Sequence, residues 1–532
     1  MFDYLIIGGG SAGCVLAARL TEDPHIHVAL LEAGPADRSV LIHCPAGLAV
    51  MAKFSLHGWG LNTVAQPGLN GRSGYQPRGK VMGGSSSLNA MIYTRGHPVD
   101  YDRWAAEGNP GWSYAEVLPY FKKAEHNERG ADDFHGSQGP LNVMDLRCPN
   151  PLSELFVQAG VQAGYPRNPD FNGASQEGVG HYQVTHKNGE RYSAAKAYVT
   201  PHLQRPNLQV FTGALTTRIL LKKNRAVGVE FEHQGQTKQL HCQREVLLCA
   251  GAIQSPQILM LSGIGPKAHL LDHHIVPLHP LPGVGQHLHD HIDVVQVVDA
   301  PAALDTFGLS VPGAAKLLKG VWDWREKRSG MLTTNFAEAG GFIKSSPAER
   351  VPDLQLHFVI GKLINHGRTT TLGHGFSCHV CLLRPKSYGS VRLASANPQD
   401  LPLVDPDFLA SRDDVERLIK GFKLMRGILA QPALAQFGGR ELTATAAAQT
   451  DEDIEQAIRN LADTIYHPAG SCRMGQDEMA VVDAQLRVHG LQGLRVVDAS
   501  IMPHLVGGNT NAPVIMIAEK AADLIKAAQQ PL

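Results

Sequence analysis

Two polar side chains near the C-terminus lie on backbone that a nearby proline constrains. His467 stands directly before Pro468 in TIYHPAGSCRMG (464–475), and Asn511 stands two residues before Pro513. An imidazole, with an ordinary pKa of ~6.5, can take up a proton near neutral pH, whereas an amide can only make hydrogen bonds. A lone histidine is also common as a structural residue, so this pattern alone leaves both interpretations open.

The N-terminus carries the pattern of a dinucleotide-binding βαβ unit. Residues 3–34 form an apolar run, a glycine-rich turn, a helical pattern and a second apolar run that ends on an acid. Gly8, Gly10 and Gly13 match GxGxxG, which allows a tight turn, close approach of a pyrophosphate, and packing of helix on strand. Glu32 follows where a carboxylate can accept hydrogen bonds from ribose hydroxyls. The motif does not choose between NAD and FAD, and the alternative is an ordinary glycine-rich turn.

Two internal segments are also rich in small residues. Residues 78–96 bring glycines and serines next to apolar residues, which favours a buried segment against a ligand over a flexible loop. Ser85, Ser86 and Ser87 lack the GxSxG context of a serine hydrolase. Residues 250–265 start as a strand end and pass into a helix, with glycines that indicate close packing.

The elements that must position these groups follow from the hydrophobic pattern. Residues 207–248 predict a strand meander that returns to the nucleotide sheet, and LRVVDAS predicts a buried strand that ends in an acid. The segment 299–461 has a different texture, which we interpret as a second, substrate-facing domain. Within it the pattern predicts helices near 312–327, 413–430 and 451–461 and extended pieces near 353–360 and 376–395.

Composition excludes several classes of protein. The 532 residues carry a formal charge of −1, so nothing favours nucleic acid as a partner. The N-terminus lacks the pattern of a signal peptide, and no run of apolar residues is long enough to span a membrane. The eight cysteines lack disulfide-framework spacing, and no metal site stands out. These features predict a cytoplasmic protein.

Together these motifs resemble the glucose–methanol–choline (GMC) family of FAD-dependent oxidoreductases. GKVMGGSSSLN (79–89) is similar to the first signature of that family, and GAIQSPQILMLSGIG (251–265) to the second. The C-terminal HPAGSCRMG and DASIMPHLVGGNTNAP are most similar to bacterial aliphatic alcohol dehydrogenases and to choline dehydrogenases. The resemblance covers essentially the whole chain.

The resemblance implies an α/β fold with two interleaved domains. Segments 1–100, 195–298 and 462–532 are expected to form a Rossmann-like FAD-binding domain. Segments 101–194 and 299–461 are expected to form an α+β substrate-binding domain of GMC type.

The resemblance also implies the cofactor, FAD, and the residues that contact it. They are Gly8, Gly10, Ser11, Ala12 and Gly13 at the diphosphate, Glu32 and Ala33 at the adenosine ribose, Thr216 at the adenine, Val81, Asn89, Ala90, Met91 and Ile92 at the flavin, Asp498 and Ala499 at the ribityl and phosphate portion, and Asn511 and Ala512 at the pyrimidine edge.

The implied activity is oxidation of an alcohol to an aldehyde by hydride transfer to the flavin N5 atom. In this interpretation His467 is the general base and Asn511 is its partner, which hydrogen-bonds the substrate oxygen. Electrons would pass to a quinone or a similar acceptor. The alternatives are a choline dehydrogenase, an oxidase that reduces O₂ to hydrogen peroxide, an FAD-containing lyase, and a noncatalytic flavin protein.

Three positions bear on how this chain differs from relatives. Some relatives attach FAD through a histidine in the first signature, but Leu88 stands there, so noncovalent FAD is expected. Glu338 in NFAEAGGF and His357 in LQLHFV resemble positions that contact the cation in choline-oxidising relatives. They are the predicted substrate contacts.

The stretch 309–328 mixes apolar and aromatic residues with basic ones. Such a pattern suits a peripheral contact with the inner face of the cell membrane, where a quinone acceptor would be found. The alternative is a lid or core helix over the substrate site.

Overall fold

The helices come from short, well-bounded segments. The structure, a computed structural model, describes residues 1–369 and 371–528. The α-helices among these residues are α1 (Ser11–Leu20), α2 (Val40–His43), α3 (Gly47–Phe54), α4 (Pro98–Ala106), α5 (Tyr114–Ala124), α6 (Pro151–Gln162), α7 (Gly251–Leu261), α8 (Lys267–Asp272), α9 (Val311–Lys327), α10 (Arg412–Leu429), α11 (Pro432–Ala435), α12 (Thr443–Ala446), α13 (Asp451–Leu461) and α14 (Asn511–Ala527).

Most strands belong to two large sheets. The strands of the described residues are β1 (Phe2–Ile7), β2 (Val28–Glu32), β3 (Leu61–Asn62), β4 (Tyr75–Gln76), β5 (Glu125–Asn127), β6 (Leu141–Val143), β7 (Gly178–His181), β8 (His186–Lys187), β9 (Glu190–Arg191), β10 (Leu208–Thr212), β11 (Ala214–Lys222), β12 (Arg225–His233), β13 (Gln236–Leu248), β14 (Ile264–Gly265), β15 (His279–Pro280), β16 (Gln286–Leu288), β17 (Ile292–Asp299), β18 (Ala339–Ile343), β19 (Leu354–Val359), β20 (Gly375–Leu382), β21 (Gly389–Arg392), β22 (Leu403–Asp405), β23 (Arg440–Glu441), β24 (Asp463–Thr464) and β25 (Leu494–Val496).

The first sheet is the nucleotide-binding scaffold. Its parallel strands lie in the order β10, β2, β1, β13, β25, and β11 and β12 extend it as an antiparallel meander. All five residues of β2 are buried, as expected for a parallel strand that is covered on both faces. The glycine-rich turn, the end of β2 and the end of β25 therefore meet at the carboxyl edge of one sheet, where ligands of such sheets bind.

The second sheet faces this edge and is antiparallel. Its order is β23, β17, β20, β19, β18, β7, with β24 paired to β17. β17 and β24 belong here, although the boundaries predicted from the sequence placed them with the nucleotide-binding segments. The predicted boundary between residues 298 and 299 followed the change of texture in the segment 299–461, but β17 lies before that boundary and already pairs with β20.

The last long helix packs against the first. Arg19 on α1 donates from Nε and Nη2 to the buried carboxylate of Glu519 on α14, both at 2.8 Å. Tyr198 Oη donates to the same carboxylate at 2.8 Å. Because this charge pair is bidentate and largely shielded from water, it fixes the alignment of the two helices.

The predicted fold class is confirmed, with a Rossmann-like parallel sheet and a second, antiparallel sheet. The predicted meander, the helices near 312–327, 413–430 and 451–461, and the buried strand in LRVVDAS are also present. No helix in the described part of the chain is long and apolar enough to cross a membrane.

We predict opposite effects for two helical glycines. A Cβ atom on Gly13 in α1 would lie 1.9 Å from the Gly8 carbonyl oxygen, so Gly13→Ala should destabilise the protein by about 1–3 kcal/mol and weaken flavin retention. A Cβ atom on Gly427 in α10 meets nothing within 4 Å, so Gly427→Ala should stabilise it by about 0.5–1 kcal/mol. Denaturant unfolding measures both, and equal effects would contradict this account of helix–turn packing.

Candidate active site

A cavity of about 1030 Å³ runs from the glycine-rich turn to the face of the second sheet. Most of the residues predicted from the sequence line it, although they come from distant parts of the chain. The predicted residues among its lining are Gly8, Gly10, Ser11, Ala12, Glu32, Ala33, Asn89, Ala90, Met91, Ile92, Thr216, His357, His467, Asp498, Ala499 and Asn511.

Three of the predicted cofactor contacts do not line the cavity. Gly13 packs against the Gly8 backbone, Ala512 is buried in α14, and Val81 is buried in a small cluster with Ile42 and Met51. These three residues pack behind the residues that form the cavity wall.

Glu338, predicted as a substrate contact, also lies outside the cavity lining. Its carboxylate accepts hydrogen bonds from Thr334 Oγ1, the Asn150 backbone N–H and Ser153 Oγ. Burial raises the pKa of this carboxyl group above its ordinary value. Its oxygens are already engaged by three donors, and this accounts for the difference from the prediction.

The glycine-rich turns form a cradle without side chains. Gly8 has a positive φ of 98°, and a Cβ atom on Gly84 would lie 2.8 Å from the Gly10 Cα atom. The two turns therefore touch through backbone alone. No side chain caps the start of α1, which leaves its first N–H groups for a ligand. An anionic diphosphate fits this cradle.

The two carboxylates predicted at the cofactor also accept hydrogen bonds from backbone N–H groups of nearby glycines. Glu32 accepts from the N–H groups of Gly9 and Gly34 at 2.8 and 2.7 Å, and burial raises its pKa to about 7. Asp498 accepts from the Gly251 N–H and Ser255 Oγ. Thr216 Oγ1 is buried without a protein partner, so a ligand can engage it. These groups fit the polar portions of a dinucleotide.

A buried arginine that sequence reasoning missed holds the segment from Ser86 to Asn89, which ends at the first of the predicted flavin contacts in 89–92. Arg191 Nη1 donates to the backbone oxygens of Ser86 and Asn89 and to Asn89 Oδ1, and its Nε donates to the Ile42 oxygen. Burial lowers the pKa of this guanidinium to about 9. Nothing in the sequence around it distinguishes this arginine from a surface one.

The backbone of His467 is fixed from two sides. Its N–H donates to Asp290 Oδ1 at 2.9 Å, and Asp290 Oδ2 accepts from Thr464 Oγ1 at 2.6 Å. Arg78 donates to the carbonyl oxygen of Tyr466, whose φ of 78° is rare for a residue with a side chain. Such a strained conformation persists only where its surroundings enforce it.

A chain of hydrogen bonds decides which nitrogen of His467 carries the proton. His291 Nε2 lies 2.9 Å from the Leu383 carbonyl oxygen, which can only accept, so this nitrogen donates. Burial lowers the pKa of His291 to about 4, so it is neutral and its Nδ1 accepts. His467 Nδ1–H therefore donates to His291 Nδ1 at 2.9 Å. The lone pair of His467 is left on Nε2.

The partner of Nε2 is Asn509, not Asn511. Asn509 Oδ1 accepts from Thr94 Oγ1 and Gln355 Nε2, so its Nδ2 points to His467 Nε2 at 3.2 Å. Asn511 Oδ1 instead accepts from Ser11 Oγ at 2.7 Å, where α1 and α14 begin. The hydrogen-bond partner of His467 Nε2 is thus Asn509. Asn511, predicted from the sequence beside the substrate oxygen, lines the same cavity and faces α1.

His467 and His357 are neutral near pH 7. Burial, followed by the nearby His291, His357 and Arg78, lowers the pKa of His467 well below its ordinary value. Burial and the neighbouring His379 and His291 lower the pKa of His357 to about 3. A neutral imidazole whose Nε2 carries the lone pair is the form that can accept a proton.

Comparison with known proteins identifies the family. Sequence models of the GMC oxidoreductase family match residues 2–293 and 385–518. The chain belongs to the GMC oxidoreductase family. It is therefore an FAD-dependent oxidoreductase that acts on CH–OH donors.

Three relatives illustrate the likeness. An alcohol dehydrogenase [acceptor] of Pseudomonas putida is 47% identical over 99% of this chain and 96% of its own. The mitochondrial choline dehydrogenase of Homo sapiens is 47% identical over 99% of this chain and 90% of its own. A solved FAD-dependent oxidoreductase from Chaetomium thermophilum superposes with a TM-score of 0.90 at 28% identity, over 99% of each chain.

Asn509, His291 and Asp290 were missed in the sequence, although signals existed. Asn509 lies in the same GGNTN segment as Asn511, and His291 and Asp290 lie in the histidine-rich HLHDHID. Within the described residues, no group of three or more histidine, cysteine or acidic side chains is arranged to hold a metal ion.

Proposed function

We propose that the protein oxidises a primary alcohol to an aldehyde, with His467 as the base. The observation that carries this proposal is the Nε2 lone pair of His467, which the bonds through His291 to the Leu383 oxygen direct to the cavity. The alcohol proton passes to Nε2, which makes the imidazole a cation. FAD supplies, when bound, the acceptor for the hydride that leaves the carbinol carbon.

Asn509 positions the substrate oxygen in this proposal. Its Nδ2 lies 3.2 Å from His467 Nε2, so a hydroxyl group beside the two nitrogens, in place of their mutual hydrogen bond, can accept from the amide and donate to the imidazole. The bonds from Thr94 and Gln355 to Oδ1 keep the amide from rotating. Asn509 thus takes the role that the sequence gave to Asn511, and Asn511 is a residue of the diphosphate end.

The cofactor contacts are part of the same proposal. The cavity-lining residues predicted at the diphosphate, the ribose and the flavin would hold FAD, and Gly13, Val81 and Ala512 would support them from behind. Leu88 lines the cavity at the position where some relatives carry the linking histidine. Because a leucine side chain forms no such bond, FAD is noncovalent in this proposal.

The substrate is an uncharged alcohol rather than choline. The carboxylates lining the described cavity are Glu32, Asp400 and Asp498, which belong to the nucleotide end, and Glu338 is turned away. Asp293 is paired with His379. His357 lines the substrate end, and both of its ring nitrogens are buried without a protein partner. A neutral imidazole offers hydrogen bonds to a polar group but no negative charge to a cation.

The electron acceptor is a quinone or a similar molecule in this proposal, and the protein works in the cytoplasm at the inner face of the cell membrane. The name of the alcohol dehydrogenase [acceptor] of Pseudomonas putida supports transfer of the electrons to a separate acceptor molecule. The competing activity is that of an oxidase, which would form hydrogen peroxide in air during turnover.

We predict that His467→Ala slows anaerobic flavin reduction by roughly a hundredfold or more, the scale for loss of a general base, while FAD stays bound. Asn509→Ala should slow it by roughly tenfold, the scale of one hydrogen bond. Because the pKa of His467 is lowered, the wild-type rate should stay level as pH falls through 6.5 and decline only below it. Stopped-flow bleaching with alcohol across pH measures each rate.

Asn511→Ala is the matched control for this pair of variants. It removes the hydrogen bond to Ser11, so it should weaken flavin retention. The decline of the reduction rate at low pH, here called the acidic limb, should stay in place. The limb should persist in Asn509→Ala and vanish in His467→Ala. A His467→Ala protein that is reduced at the wild-type rate, with its acidic limb intact, would show that another group is the base.

The purified protein should be yellow and should release its flavin on acid precipitation. The reason is that Leu88 has no nitrogen for a covalent link. Absorbance of the supernatant and the pellet measures the release. Flavin left in the pellet would contradict noncovalent binding.

A substrate panel with an artificial acceptor tests the choice of alcohol. kcat/KM for a medium-chain alkanol should exceed that for choline by at least roughly tenfold, since no carboxylate offsets the desolvation of the cation. Glu338→Gln should leave that ratio unchanged, because Glu338 lies outside the cavity lining. Preference for choline, or a ratio that moves with Glu338→Gln, would refute this assignment.

A further inference from the structure

We propose that the mouth of the cavity docks on an anionic lipid bilayer. The docking surface, here called the apolar rim, consists of exposed side chains from α3, α9 and the loops near 56, 309 and 372. Its members are Val50, Phe54, Leu56, Leu309, Val311, Leu317, Leu318, Val321, Trp322 and Leu372. This proposal rests on the membrane location given under the proposed function and names the surface that makes the contact, but it does not depend on which alcohol is oxidised.

The first observation is the orientation of α9. Gly320 and Trp324 form its buried face, where a Cβ atom on Gly320 would meet Met331 at 2.6 Å and Trp324 Nε1 donates to the Gly189 oxygen. Leu318 and Trp322 stand two residues away from Gly320, which is about 200° around a helix, and are 73% and 56% exposed. The helix therefore presents a second apolar face directly away from the protein.

An ordinary surface helix turns polar residues to solvent. The outer face of α9 does the opposite, and it begins with Val311, which is 87% exposed. α9 is not a core helix, since Gly320 and Trp324 are its buried residues. A large apolar surface of this kind indicates a contact with an apolar phase.

The second observation is continuity with the cavity. Six members of the apolar rim also line the cavity, and they are Val50, Phe54, Leu56, Leu309, Leu317 and Leu372. They come from three separate segments placed around its opening. A molecule dissolved in the acyl region could pass from the bilayer to the cavity without crossing water.

The third observation is the charge around the apolar rim. Residues 311–328 carry five basic side chains and two acidic ones, in a chain whose formal net charge is −1. Lys316, Lys319 and Arg328 are paired with carboxylates, whereas Arg325 and Lys327 have no carboxylate partner among the described residues. The Lys327 ammonium lies 5.0 Å from the Trp322 ring centroid, and the Lys53 ammonium 5.8 Å from that of Phe54. Aromatic rings beside lysines are typical of the headgroup level of a membrane, and basic residues favour anionic lipids.

The same charges disfavour a second copy of this chain as the occupant. A two-fold interface would place α9 against its own copy and bring the basic side chains together. An anionic bilayer instead offers a counter-charge to Arg325 and Lys327, which lack a carboxylate partner among the described residues, while the apolar residues enter it.

The test uses flotation of the purified yellow protein with vesicles of phosphatidylcholine, alone or mixed with phosphatidylglycerol. The wild-type protein should float with the mixed vesicles at low salt and much less at high salt, because salt screens the basic residues. The double variant Leu318→Asp, Trp322→Asp should lower the partition coefficient by at least roughly tenfold, since each side chain no longer enters the apolar phase.

The matched control is the double variant Val276→Asp, Leu278→Asp. These residues are 70% and 59% exposed but lie outside the apolar rim and the cavity lining. It should float like the wild type, and both variants should keep the wild-type unfolding midpoint and the activity with a water-soluble acceptor. Equal loss in both variants would overturn the proposal.

Two other outcomes would also overturn it. One is absence of flotation with the mixed vesicles at low salt. The other is a wild-type dimer, seen by analytical ultracentrifugation, that Leu318→Asp, Trp322→Asp separates into monomers, because the second copy would then be the occupant.

Discussion

The site depends on the side-by-side packing of the first helix and the last. The bidentate contact between Arg19 and Glu519 aligns α1 with α14, and the bond from Ser11 to Asn511 joins their N-termini. Both helix starts lack a side-chain cap, so their free N–H groups open on the cavity from two directions. Without this alignment, the glycine-rich turn and the segment that carries Asn509 would not share a cavity.

Acid–base chemistry in the site rests on one backbone oxygen. The Leu383 carbonyl cannot donate, and this fact propagates through His291 to set the tautomer of His467. The usual solution is a carboxylate behind the histidine, which would also raise its basicity. In this neutral relay, the group behind the His467 ring is an uncharged imidazole and the only carboxylate contact described for His467 is that of Asp290 with its backbone N–H.

The sequence predicted the scaffold well because its signals are local. The spacing of Gly8, Gly10 and Gly13 and the apolar runs around them specify a βαβ unit without reference to the rest of the chain.

The errors of the sequence prediction concern contacts between distant segments. Asn509 and Asn511 are two residues apart, and only the start of α14 decides which of them faces His467. Glu338 is engaged by Asn150 and Ser153, far away in sequence, and no periodicity reports such a bond. The strand β17 was placed with the wrong sheet because pairing partners are not encoded in its own residues.

The closure of the first sheet by β25 and α14 has a consequence for biosynthesis. The residues that complete the dinucleotide cavity, Asp498 and Asn511, belong to the final segment of the chain. The glycine-rich turn is synthesised long before this segment, so the cavity lacks part of its lining until Asp498 and Asn511 are in place. Tight capture of a dinucleotide therefore belongs to a late stage of folding.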